Sequence, residues 1–169
     1  MQISQVIETA ELLAKKHGTK DPFALCDALE IDVVEKDLPS SLFGLAYSPL
    51  GYRYVVLRPN LEAPFRDFVC AHELGHHLLH PHVVTFFIEE NTLFHTGKFE
   101  WEAHLFSIRL LTWGEAQHWS LSALAELGVP PKVALRFAEN ANAYFPYFTK
   151  GVESWQAGEL QNAAINGLM

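Results

Sequence analysis

Arg66-Asp67-Phe68-Val69-Cys70-Ala71-His72-Glu73-Leu74-Gly75-His76-His77-Leu78-Leu79-His80 is the stretch on which the fold turns. Apolar residues occur nearly all round a helical period and Pro81 stops the pattern, so the spacing predicts a central buried helix over 61–80. On a helix, residues i and i+4 share a face, so the imidazoles of His72 and His76 converge on one point. Glu73 lies about 100° round the helix from His72, beside that point rather than on it. Two neutral imidazoles suit Zn²⁺, which takes nitrogen and sulfur ligands in tetrahedral geometry. A carboxylate beside such an ion is placed to act as general base toward its water. The bland alternative is a surface helix with merely polar histidines. Phe65, Phe68 and Val69 precede His72 on the same side and Leu79 follows His76. Polar groups in such an apolar stripe are costly to desolvate without a partner, and a metal satisfies them.

A catalytic zinc needs a third protein ligand and an open position. His82, six residues after His76, has the metzincin spacing. That signature requires a glycine where this chain has Leu79, and a downstream methionine turn, whereas the methionines here are Met1 and Met169. The other source is a carboxylate on a second apolar helix, predicted over 100–112. Glu100, Ala103, His104, Ser107 and Leu111 share one face of it. Ala103 and Ser107 are small, so this helix can pack close to the first. Glu102 is the rival, on a face with Leu105, Phe106 and Arg109. Either carboxylate is also an ordinary first-turn residue favoured by the helix dipole. Sequence physics favours Glu100 and leaves Glu102 open.

Outward from these helices the chain reads as α+β. Ile3, Val6, Ile7, Ala10, Leu13 and Ala14 predict a helix over 3–17, stopped by Gly18. Asp21-Pro22 opens a short helix to Leu29. Strands are expected at 31–35, 42–47 and 52–58, the last two joined as a hairpin by Ser48-Pro49-Leu50-Gly51. Residues 81–98 read as irregular. Two further helices are expected over 120–127 and 131–143, and residues after Phe148 lose periodicity. The expectation is one domain over 1–150, with a small, mostly antiparallel sheet packed on helices, and a loose tail over 151–169.

Composition narrows the function. Of 169 residues, 49% are hydrophobic and 19% charged, which excludes a wholly disordered chain. Lys and Arg number 12 against 20 Asp and Glu, a net charge of -8, unsuited to non-specific binding of phosphate backbones or anionic membranes. No apolar run approaches the ~18 residues of a membrane span. The start, Met1-Gln2-Ile3-Ser4, lacks the pattern of a signal peptide, so the expectation is a cytoplasmic protein with Cys26 and Cys70 as free thiols. Helices over 120–127 and 131–143 have the rhythm of a helix-turn-helix. The second offers only Lys132 and Arg136 as cations, beside Glu139, so both helices are expected to complete the core and no direct nucleic-acid binding is expected.

The sequence resembles the ImmA/IrrE family of zinc metallopeptidases from near its start to about residue 113. The resemblance rests on Gly18-Thr19-Lys20-Asp21-Pro22, the hairpin around Gly44 and Tyr47, the run Arg66–Ala71 leading into His72–His76, the Leu78-Leu79-His80 end of that helix, and Glu100-Trp101-Glu102-Ala103-His104-Leu105-Phe106 with Leu110-Leu111. It implies a zincin-like fold of gluzincin type, with His72, His76 and Glu100 on Zn²⁺ and Glu73 as general base. Two positions depart from it: His104 stands where the family commonly has Asn, and Thr112-Trp113 where it has Met-Pro. Family members resemble phage and mobile-element endopeptidases that cut a helix-turn-helix repressor, so such a repressor is the implied partner. A non-proteolytic antirepressor that only binds the repressor, with a structural or sensory zinc, is the alternative. A substrate would dock as an extended strand along a sheet edge. Tyr47, Tyr54, His77 and His104 are candidates to polarise the carbonyl or support the ligands. His77 and His80 are expected to line the cleft, and His17, His95 and His118 to lie at the surface.

Overall fold

The computed structural model describes residues 1–40, 42–81, 97–114, 120–141 and 143–144, together with the backbone of 85–89. Helix α1 (Ile3–His17) buries Val6, Ile7, Ala10, Leu13 and Ala14 and ends at Gly18, whose φ of 68° lies in the left-handed region. Helix α2 (Pro22–Ala28) is capped by Asp21, whose carboxylate accepts the Phe23 N–H at 2.9 Å. Strand β1 (Asp32–Glu35) follows. A 3₁₀ turn over Pro49–Gly51 joins β2 (Leu42–Tyr47) to β3 (Tyr54–Leu57). Helix α3 (Phe65–Leu79), strand β4 (Thr85–Glu89), and helices α4 (Lys98–Leu111), α5 (Leu121–Glu126) and α6 (Pro131–Glu139) complete the order.

The four strands are ordered β1-β3-β2-β4. β1 pairs with β3 in parallel, while β2 pairs antiparallel with both β3 and β4. The fold is therefore mixed α+β, with a small, mostly antiparallel sheet packed on helices. On β2 Leu42, Gly44 and Ala46 are buried and alternate with more exposed neighbours. Helix α3 runs between the sheet and α4, and α4 packs in turn on α1, where Arg109 pairs with Glu11. Phe68, Leu74, Leu105, Phe106 and Ile108 are fully buried at the centre. Burial of each such side chain is worth roughly 1.5–3 kcal/mol.

Three expectations change. The central helix begins at Phe65 rather than 61, because Ala63 precedes Pro64 and a residue before proline is driven out of the helical region. The stretch 81–98 is not wholly irregular: Thr85–Glu89 forms β4 on β2. Its Thr-Phe-Phe-Ile run has strand propensity but is too short for periodicity to separate it from other short apolar runs. Helix α6 stops at Glu139, where the Asn140 side chain donates to the Arg136 carbonyl at 2.8 Å. His82, His95, His118 and the tail over 151–169 lie outside the described residues.

Candidate metal centre

Helix α3 carries His72 and His76, 0% and 1% exposed, and the first turn of α4 brings Glu100 against them. His72 Nε2 lies 3.2 Å from Glu100 Oε2, His76 Nε2 3.4 Å from Glu100 Oε1, and the two Nε2 atoms 2.9 Å apart. All three donor groups fall within 4.8 Å of one another and can hold a metal ion. Ligands at bond lengths of about 2.0–2.1 Å around a tetrahedral ion stand about 3.3 Å apart. The closest approaches between the three groups lie near that value, so the donor set suits a small cation. Burial alone would raise the Glu100 carboxyl, but the His72 and His76 imidazoles beside its two oxygens outweigh this and hold it well below the usual carboxylate range. Burial lowers His76 to about 4, which keeps it neutral and able to ligate.

The close approach of these helices has a cause in the sequence. A Cβ on Gly75 would lie 3.0 Å from Phe106 Cδ1 and 3.5 Å from Ala103 Cα. Gly75 and Ala103 thus let α3 and α4 come near enough for Glu100 to reach the histidines. Glycine is needed again on β2: a Cβ on Gly44 would lie 2.8 Å from Glu73 Oε1 and 2.7 Å from Val69 Cγ1. Glu73 fills the space this leaves. Neither of its carboxylate oxygens has a hydrogen-bond partner among the described residues. Burial pushes its pKa well up, the charge of Glu100 adds to this, and the Ala46 amide pulls the other way without closing a bond of normal geometry.

Glu102 takes a different part from Glu100. It accepts from His80 Nε2 at 2.8 Å and lies 2.7 Å from the Met1 nitrogen. Burial would raise it, and these two hydrogen bonds hold it below its ordinary value. His80 Nδ1 in turn lies 3.2 Å from His76 Nδ1. Sequence reading placed His80 only at the cleft and Glu102 only as a rival ligand. The available signal was spacing, since His72, His76 and His80 are successive i+4 positions.

The other candidates are dispersed. His104 is fully buried with its ring 4.5 Å from that of His72 and stacked on Phe68, and neither of its nitrogens has a hydrogen-bond partner among the described residues. Burial lowers its pKa well below the ordinary value. His77 Nε2 donates to the Tyr54 carbonyl at 2.9 Å, so Tyr54 takes part through its backbone. His77 also lines a cavity of about 130 Å³ beside His76 and His80, with Ser48, Arg53 and Pro81. Tyr47 is exposed at the end of β2. Cys26 and Cys70 are free and buried, Cys70 facing Cys26 rather than the histidines. On α6 Val133, Ala134, Phe137 and Ala138 are buried, and the Arg136 guanidinium lies 4.2 Å over the Trp101 ring. Among the described residues no helix is long and apolar enough to cross a membrane.

Comparison with known proteins bears on this constellation. The family model described as the IrrE N-terminal-like domain, Peptidase_M78, matches residues 26–121. The chain is 36% identical over 129 residues to "Uncharacterized immunity region protein 2" of Bacillus phage phi105, covering 72% of this chain and 82% of that protein. It is 32% identical over 98 residues to "Metallopeptidase ImmA" of Bacillus subtilis (strain 168), covering 57% of each. The chain thus spans most of the phage protein and little more than half of the bacterial one.

Proposed function

Because this chain belongs to the IrrE N-terminal-like domain family and is a zinc metallo-endopeptidase, we propose that His72, His76 and Glu100 hold its zinc and that Glu73 is the general base in cleavage of a helix-turn-helix repressor. The observation that carries this is a three-donor cluster within 4.8 Å beside a buried carboxylate with no hydrogen-bond partner among the described residues. Two imidazoles and a carboxylate suit zinc, and a structural site would give Glu73 no purpose. A histidine pair on one helix, a glutamate on the next and a small sheet alongside are in keeping with a zincin-like fold of gluzincin type.

Zinc held by His72, His76 and Glu100 would supply Lewis acidity, making a water more acidic and polarising a scissile carbonyl. The chain's own residues do the rest. Glu73 takes a proton from the attacking water onto its carboxylate and passes it to the leaving amide nitrogen. Its raised affinity for a proton suits that shuttle. Helix α3 fixes Glu73 relative to the histidines, and Gly44 sets its distance from the sheet. The substrate backbone lies as an added strand along β4, the outer strand next to β2 among the described residues. A repressor as substrate follows from the family resemblance, and the immunity-region name of the phage relative is in keeping with a regulatory partner.

The test pairs metal content with products. Purified protein is expected to carry about one zinc per chain, and Glu73→Gln to keep the zinc while losing about 10²–10⁴-fold in cleavage rate. Mass spectrometry of the co-incubated repressor reads the outcome. New termini support proteolysis, while an intact repressor in a stable complex supports the non-proteolytic antirepressor instead. Cleavage by Glu73→Gln at the wild-type rate would falsify the assigned base.

A further inference from the structure

We infer that His80 and Glu102 are positioning residues, which fix the tautomer of His76 and hold its Nε2 lone pair toward the metal site. This rests on the reading of His72, His76 and Glu100 as zinc ligands. With both imidazoles neutral, the contacts fit the following pattern of protons. An ionised carboxylate only accepts, so the 2.8 Å bond between His80 Nε2 and Glu102 Oε2 has His80 as donor. A neutral His80 with its proton on Nε2 has a bare Nδ1. His76 Nδ1, 3.2 Å away, is then the donor to it. A neutral His76 with its proton on Nδ1 has its lone pair on Nε2, the atom that faces His72 Nε2 at 2.9 Å and Glu100 Oε1 at 3.4 Å.

The relay is enclosed and spans two elements. The side chains of His80 and Glu102 are 3% and 6% exposed. His80 follows the last turn of α3 and Glu102 sits on α4, so the relay links the same two helices as the metal cluster. The two ligand histidines differ in this respect. His72 Nδ1 has no hydrogen-bond partner among the described residues, and neither has either nitrogen of the neighbouring His104. Outer partners of a ligating histidine set its tautomer and ring orientation, and their loss weakens metal affinity by about 10–100-fold. His76 is therefore the preorganised arm of the site.

The experiment measures zinc affinity by chelator competition, and His76 protonation in the metal-free protein by ¹⁵N-edited NMR. His80→Phe keeps an aromatic ring in place but removes the acceptor. It is expected to weaken zinc binding about 10–100-fold. It should also move His76 from a single Nδ1–H form to a mixture with Nε2–H, while the metal-free melting temperature stays within a few degrees. Glu102→Gln leaves an oxygen to accept from His80 and should stay within about threefold of wild type, whereas Glu102→Leu should behave as His80→Phe does. If His80→Phe does not fold, the Glu102→Gln and Glu102→Leu pair decides. Wild-type zinc affinity in His80→Phe, equal loss in Glu102→Gln and Glu102→Leu, or an Nε2–H form of His76 in the metal-free wild type overturns the relay. His72→Ala separates the two readings. If it loses zinc while His80→Phe does not, the metal site stands and the relay fails. If it binds zinc as tightly as wild type, the metal site itself fails.

Discussion

Glu73 carries a carboxylate into a fully buried position with no hydrogen-bond partner for either oxygen among the described residues. Burial first, and the charge of Glu100 second, raise its pKa well above 4.5 in the fold. A folded-state pKa above the unfolded value means that the native protein binds more protons than the open chain between the two values. Stability is then lost as pH rises through that window, and protonation below it removes the penalty. Metal-free Glu73→Gln is accordingly expected to be more stable than metal-free wild type at pH 8, by about 1–3 kcal/mol, with the gap closing near pH 4. Thermal melts across that range check it, and equal stability at every pH would remove the argument. Gly44 belongs to the same problem. Gly44→Ala puts a Cβ 2.8 Å from Glu73 Oε1. It is expected to cost about 1–3 kcal/mol of stability and at least tenfold in kcat, with zinc content unchanged because the three candidate donors lie on α3 and α4. At this scale the convergence of His72 and His76 was legible, because i and i+4 is a local rule. Glu100 and Glu102 were harder to separate, since both sit in one helical turn. Two residues turn a helix by about 200°, which sends Glu100 to His72 and His76 and Glu102 to His80. That division depends on where α3 lies, which no local pattern states.

Helices α3 and α4 make one unit of the site, and its precision depends on their separation. Gly75 faces Phe106 and Ala103 across the contact, with 3.0 Å between a built Cβ and the Phe106 ring. Phe106 is fully buried, so its ring has little room to yield. Gly75→Val is expected to push the helices apart, to cost about 1–3 kcal/mol by overpacking, and to weaken zinc binding by moving Glu100 away from His72 and His76. Chelator competition against Gly75→Ala, which adds one methyl, should give a graded loss; unchanged affinity in the valine variant would show that helix spacing does not govern the site. The elements themselves were read from the sequence wherever a long apolar period marked them, as in α1, α3 and α4. Strand β4 was missed because a stretch of five residues, four of them β-branched or aromatic, is too short to show a period that excludes a loop. The start of α3 was overextended because the apolar pattern continues through Leu61, while the restriction that Pro64 places on Ala63 is a backbone effect.

Across the molecule, the cluster joins parts of the chain that are distant in sequence, with His72 and His76 on one helix and Glu100 28 residues beyond His72 on another. Helix α4 is packed in turn on α1, and α3 on the sheet. A ligand that binds only the folded cluster therefore stabilises all these layers through mass action. At free zinc 100-fold above Kd the gain is about 2.7 kcal/mol, which for a chain of this length raises Tm by roughly 5–10 °C. Removing zinc with a chelator should lower Tm by that amount and restoring zinc should recover it. Glu73→Gln should show the full shift, since Glu73 is not among the three donors, whereas His72→Ala and Glu100→Ala should lose most of it. A chelator-insensitive Tm in protein shown to have bound zinc would mean that the ion also binds the unfolded chain or sits elsewhere. The variants distinguish those cases, because an ion held elsewhere gives the same shift in His72→Ala as in wild type.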